Sequence, residues 1–229
     1  MKTVSRTMSF FGMIAAGAAA VIVLAGIAGA AEQQPAAAPA APVATTAMTP
    51  ASTTLANLLD AFNRESNVRE YYLACAKTAD KEKYLKVAEL FRGAAKSEEV
   101  HIKFYAKNIT KLGGTPTADI KTPMVKTTGE NLAATITEIN NETMTLYPQY
   151  LAQAQAAAVP EGTRAFGSAI KIRGNQKIIF ETAASNLASW KQSAGGFYVC
   201  TVCGQLEQKL DFAKCVVCGA SLNEFVQVK

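Results

Sequence analysis

Two Cys-x-x-Cys-Gly turns lie near the end of the chain, Cys200-Thr201-Val202-Cys203-Gly204 and Cys215-Val216-Val217-Cys218-Gly219, with eleven residues between Cys203 and Cys215. Each turn aims two sulfurs at one point, and the glycine after it accepts the positive φ that lets backbone amides face the thiolates. Two such turns complete a tetrahedron, so Cys200, Cys203, Cys215 and Cys218 are expected to hold one metal ion. Iron and zinc both accept four thiolates in this geometry, which leaves the metal open. A pair of disulfides is the competing arrangement, favoured in an oxidising compartment, although bound metal protects its thiolates. Phe197, Tyr198, Phe212 and Phe225 are expected to cover the site with aromatic surface. The remaining cysteine, Cys75, reads as a small buried apolar residue.

The opposite end has a different character. Lys2 and Arg6 precede an uncharged stretch to Ala31 whose centre, 13–27, is almost wholly apolar, and Ala28-Gly29-Ala30 suits a signal-peptidase cut. Residues 1–30 are therefore expected to be a signal peptide or, if never cut, a membrane anchor. Either way the protein is exported, periplasmic or membrane-anchored facing the periplasm. Residues 31–52, rich in alanine and proline, read as a linker. The net charge of +5 loses two units with Lys2 and Arg6, and the other lysines alternate with acids. No basic patch points to nucleic acid.

From Thr53 the periodicity becomes helical. Leu55, Leu58, Leu59, Phe62, Val68, Tyr72 and Leu73 form one apolar face of a helix running to about Ala76. A second helix is expected from about Asp80 to Leu112, where Gly113-Gly114 and Pro116 stop it. Residues 113–127 are too long for a tight hairpin and suit a crossover along a bundle. Thr127 with Glu130 is a capping box opening a third helix, in which Pro148 predicts a kink or local irregularity. Pro160 starts a fourth, reaching about Trp190. Two helices, a long crossover and two more helices are the connectivity of a ferritin-like four-helix bundle, placed at 53–194. Residues 195–229 form the small metal-binding domain, of rubredoxin-like or zinc-ribbon type.

Acids on the inward faces of such a bundle require an explanation. Glu65 lies on the stripe of helix one, seven residues before Tyr72. On helix two Glu98 and His101, the only histidine in the chain, have the i, i+3 spacing that lets both reach one ion. Helix three adds Glu138 and Glu142.

Residues 53–229 resemble the rubrerythrin family. The resemblance is carried by the run 57–66, by Glu98-x-x-His101, by the helix opening 127–132, by the segment from Glu142 to Tyr147-Pro148, and by the terminal cysteine knuckle. It implies a non-haem iron protein whose bundle holds a di-iron centre that reduces hydrogen peroxide. A rubredoxin-type iron supplies the electrons, usually across a head-to-tail homodimer. Glu65, Glu98, His101 and Glu142 then fall on iron ligands, and Tyr72 and Tyr147 on tyrosines near the iron pair. The electron donor is not implied.

The chain also departs from that pattern. A second Glu-x-x-His belongs on helix four, where this chain has Arg173 and Gln176. On helix three Ile139 stands three residues before Glu142, with Glu138 displaced by one place. One residue turns a helical side chain by about 100°, so Glu138 substitutes only if the helix bulges. Val216 replaces a proline common in rubredoxin-type knuckles. Three acids in a low-dielectric core need neutralising, and Arg173 can pair with one of them, leaving charge for one divalent ion with His101 as a neutral ligand. The expectation is a bundle site holding one metal, iron or another divalent ion, or none, and not a full di-iron centre. Two functions follow: peroxide reduction or electron transfer in oxidative-stress defence, or a non-catalytic electron-transfer or zinc-stabilised module with the bundle as scaffold.

Overall fold

The computed structural model describes residues 49–229; the expected signal peptide or anchor and the linker as far as residue 48 lie outside the described residues. Among the described residues no helix is long and apolar enough to cross a membrane. Helix α1, Pro50–Lys81, begins three residues before the expected Thr53 because Thr49 caps it, accepting from the Ser52 amide, and Pro50 supplies a preset φ. It also continues past Ala76, since Ala79 still packs into the core, and breaks only at Lys83, whose φ is 65°. Helix α2 is therefore Leu85–Lys111, starting later than Asp80. Gly113 at φ 81° ends it: its amide donates to Thr110 O and that of Gly114 to Ile109 O, a Schellman close.

The crossover is held against α1 by two asparagines. Asn63 accepts from the Asp119 amide at 2.8 Å, and Asn67 accepts from the Lys121 amide while donating to Asp119 O. The third rod is α3, Thr128–Asn141, opened by the Thr127–Glu130 capping box. A π-helical turn, Glu142–Leu146, joins it to α4, Tyr147–Ala156. Pro148 has no N–H and its ring clashes with the carbonyl four residues back, so the helix widens by one residue before it. Helix α5 is Pro160–Ser185; Trp190 lies beyond its end, on a 3-10 turn, Leu187–Trp190. The C-terminal domain is a three-stranded antiparallel sheet ordered β2-β1-β3, from β1 Phe197–Cys200, β2 Leu206–Glu207 and β3 Phe225–Val228.

Two apolar clusters fill the bundle. One gathers Tyr72, Phe91, Leu132, Ile139 and Phe180 with Phe197, Val199 and Leu206 of the small domain. The other holds Leu58, Tyr105, Ile109, Tyr147 and Phe166. Along every rod the inward acids or the arginine fall between these clusters, which makes a polar layer at mid-height. Phe197, expected over the cysteines, instead stacks on Trp190 with ring centroids 6.3 Å apart and seals the small domain to the bundle. Phe212 and Phe225 pack on each other with ring centroids 5.6 Å apart. The seam is tight: a Cβ at Gly93 would lie 2.9 Å from Leu206 Cδ1, and one at Gly204 only 2.6 Å from His101 Nε2.

Candidate metal centres

The four cysteine sulfurs converge. Cys200 Sγ lies 3.7 Å from Cys218 Sγ, and Cys203 Sγ 3.6 Å from Cys215 Sγ. A tetrahedron with metal–sulfur bonds of about 2.3 Å has edges of about 3.8 Å, whereas a disulfide needs about 2.05 Å. The spacing fits one metal and not two disulfides. Backbone amides of Val202 and Cys203 donate to Cys200, those of Val217 and Cys218 to Cys215, and that of Gln205 to Cys203. These donors stabilise thiolates, and Gly204 and Gly219, at φ 86° and 74°, allow the turns that aim them.

At mid-bundle the acids, the histidine and the arginine meet. The Arg173 guanidinium, fully buried, lies 2.5 Å from Glu65 Oε2, 2.6 Å from Glu98 Oε1 and 3.1 Å from Glu142 Oε2. The Glu142 contact is an ion pair without hydrogen-bond alignment, which leaves Arg173 Nε without a hydrogen-bond partner, and Glu142 Oε1 has none either. His101 Nδ1 is 3.3 Å from Glu98 Oε2 and 3.7 Å from Glu65 Oε2, while its Nε2 is unpartnered. Tyr147 Oη donates to Glu65 Oε1 at 2.6 Å. Glu65, Glu98 and His101 bring one donor atom each to within 4.8 Å of one another.

The Rubrerythrin family profile matches residues 56–172, over half of the chain. The chain belongs to the rubrerythrin family. Its relatives include Rubrerythrin-2 of Clostridium acetobutylicum, 26% identical over 171 residues, spanning 73% of this chain and 92% of the relative. The putative rubrerythrin of Methanocaldococcus jannaschii is 30% identical over 165 residues, spanning 66% and 80%. The solved structure of fully reduced, all-ferrous nigerythrin shares the fold, with a TM-score of 0.71 at 23% identity over 82% of this chain and 90% of that one. Rubrerythrins are non-haem iron proteins, and the sulfur tetrad can hold one such metal.

Burial dominates the electrostatics of the bundle centre, and one arginine cannot offset it for three acids. Burial pushes Glu98 up to about 8 and Glu142 up to about 7 despite Arg173. Glu65 is also penalised by burial, but the Arg173 charge and hydrogen bonds from Glu98 and His101 hold it well below the usual range. His101 loses basicity to burial and regains more from Glu65 and Glu98, ending at about 9. Without metal, the cluster balances its charge by one ion pair and by protons.

Of the residues expected at this centre, Glu65, Glu98, His101, Glu142 and Tyr147 come together. Tyr72 is buried nearby and packs on Phe91 and Phe180, each at 5.8 Å between centroids. Glu138 stays out: the bulge exists, but Glu138 is exposed and pairs with Arg64 at 3.2 Å. Tyr105 was not among the expected site residues. It is buried one turn beyond His101, its hydroxyl unpartnered, and the i+4 spacing from the histidine was its sequence signal. Ser97 was missed as well; only its place beside Glu98 pointed to it.

Proposed function

We propose that the protein is an exported redox protein that passes single electrons through an iron held by Cys200, Cys203, Cys215 and Cys218, with a bundle centre holding one metal or none. The observation that carries this is the Arg173 guanidinium among Glu65, Glu98 and Glu142. These residues do not fit a di-iron centre. Glu65 spends one oxygen on Tyr147 and the other on Arg173, and Glu98 spends one on Arg173. Glu98 Oε2, Glu142 Oε1 and His101 remain, so even one divalent ion using Glu65 must displace the guanidinium. Iron in the knuckle would supply a one-electron couple, and the aromatic pair Phe212–Phe225 with the amide donors would shield it from water. Peroxide reduction, which needs two electrons at one site, is then slow, and the contribution to oxidative-stress defence is electron transfer. A homodimer joined to the membrane side by the leader and linker completes this reading.

Metal quantification on protein from its native compartment, with an optical spectrum, tests it. One iron per chain, or two if the bundle holds one as well, with a red ferric tetrathiolate and slow bleaching by peroxide, is expected. Three irons per chain would refute it. Zinc in place of iron would support the second reading, a structural module, which the sulfur geometry accepts equally.

A further inference from the structure

Gln176 stands where the family pattern has a histidine ligand, and it contacts no acid. Its Oε1 accepts from Arg173 Nη1 at 3.2 Å, and its Nε2 donates to Ser97 Oγ at 2.8 Å. Ser97 Oγ donates to the Gly204 carbonyl at 2.5 Å. Gly204 O and the Gln205 N–H are the two ends of one peptide unit, and that N–H donates to Cys203 Sγ. Arg173, Gln176 and Ser97 are all fully buried.

The direction of every donor in this chain is forced. An arginine only donates, so the carbonyl end of the Gln176 amide must face it and the amino end must face Ser97. The Ser97 hydroxyl, receiving from Gln176, sends its own hydrogen to Gly204. Bonds aligned head to tail polarise one another, and a bond into a peptide oxygen strengthens the donor at its nitrogen.

We propose that Arg173, Gln176 and Ser97 form a hydrogen-bond relay that carries the arginine's positive charge to the Cys203 sulfur and raises the reduction potential of the knuckle iron. The two positions where the bundle lost its metal ligands thereby serve the knuckle. Reduction adds one negative charge to a tetrathiolate, and a stronger donor at sulfur stabilises the more negative state, so the relay favours the ferrous form. Ser97 and Gln176 are positioning residues; neither touches the metal. The relay rests on the reading of the knuckle as a one-electron site.

The test is an optical redox titration of iron-reconstituted full-length protein. Ser97→Ala removes the donor to Gly204 and lowers the reduction equilibrium constant about three- to tenfold, or about 30 to 59 mV at 59 mV per tenfold for one electron. Gln176→Leu leaves the Ser97 hydroxyl in place and lowers the potential by less. Asn175→Ala is the control: Asn175 Nδ2 donates to Gln205 Oε1 at 3.1 Å, touching the knuckle outside the relay, and its potential stays at the wild-type value. Unchanged potentials in Ser97→Ala and Gln176→Leu, with the ferric spectrum intact, overturn the relay. Equal lowering by Asn175→Ala overturns it too, since loosening of the seam would then be the cause. If Ser97→Ala does not load iron, Gln176→Leu decides. Zinc in the native protein would defeat the one-electron reading while leaving the reconstituted titration able to judge the relay.

Discussion

The two candidate metal centres are built differently. The knuckle keeps all four ligands, set by two short turns of contiguous sequence, each aimed by its own glycine and amides. The bundle centre draws its residues from separate rods, and Arg173 puts one positive charge among the carboxylates of Glu65, Glu98 and Glu142. A site built from local turns is robust to change elsewhere; in a site assembled across a fold, one side chain can set the charge balance.

The largest effect should come from removing the internal cation. Arg173→Leu takes the guanidinium away from three buried acids, leaving Glu65 only Tyr147 and His101, Glu98 only His101 and Glu142 no cation, and should cost roughly 3 to 5 kcal/mol in urea unfolding of zinc-loaded protein. A loss under about 1 kcal/mol, the range of an exposed pair, would show that the arginine is no structural counter-ion. The double replacement Arg173→Glu with Gln176→His should instead raise the divalent metal bound per chain above the wild-type content, read by elemental analysis. No gain would mean that these two positions do not set the bundle's metal content.

Glycines sharpen the comparison at the seam. Gly204→Ala meets both a strained φ of 86° and the His101 ring at 2.6 Å, whereas Gly219→Ala meets only a φ of 74° with open space beyond. The expected cost is roughly 1 to 2 kcal/mol for Gly219→Ala and clearly more for Gly204→Ala, by thermal unfolding. Equal costs would say that the knuckle does not bear on the bundle.

The acidity of the bundle centre predicts an unusual pH profile. Folding raises Glu98 to about 8 and Glu142 to about 7 from 4.5, and His101 to about 9 from 6.5. Between these limits the folded chain binds more protons than the unfolded one, so stability falls as pH rises from about 4.5 to about 9. The His101 share is complete below 6.5 and is lost through 9. Glu65, held low by Arg173, works in the other direction and is lost only as pH falls below 4.5. Melting temperatures from pH 5 to 9 should therefore decline. A rise over that range would indicate a metal-filled centre, whose ligands must shed protons to bind.

The smallest expected effect is local to the third rod. Thr127→Ala removes one half of its capping box and should cost about 1 kcal/mol without changing metal content. A change in metal content would tie the bundle centre to helix fraying.

Much of this architecture was legible in residue order because it depends on neighbours in the chain. Thr127 and Glu130 cap a helix three residues apart, Gly113 stops one, Pro160 starts one, and each Cys-x-x-Cys turn shapes itself. Helix ends were less legible where nothing breaks the backbone: α1 runs past Ala76 because Ala79 finds a packing partner that periodicity does not reveal. The π-turn before Pro148 was foreseen as an irregularity, but it begins at Glu142, after Glu138, so the Glu138 side chain keeps its outward direction.

Sequence alone determined the sulfur tetrad, the helical rods and the acids that share them, since spacing of 3 or 4 along a helix and of Cys-x-x-Cys in a turn sets direction locally. Only the tertiary structure decided that Arg173 reaches all three carboxylates, that Phe197 faces the bundle, and that Ser97 grips Gly204. Those contacts join residues up to 108 positions apart, and the low dielectric between packed helices, absent from any local segment, gives them their strength.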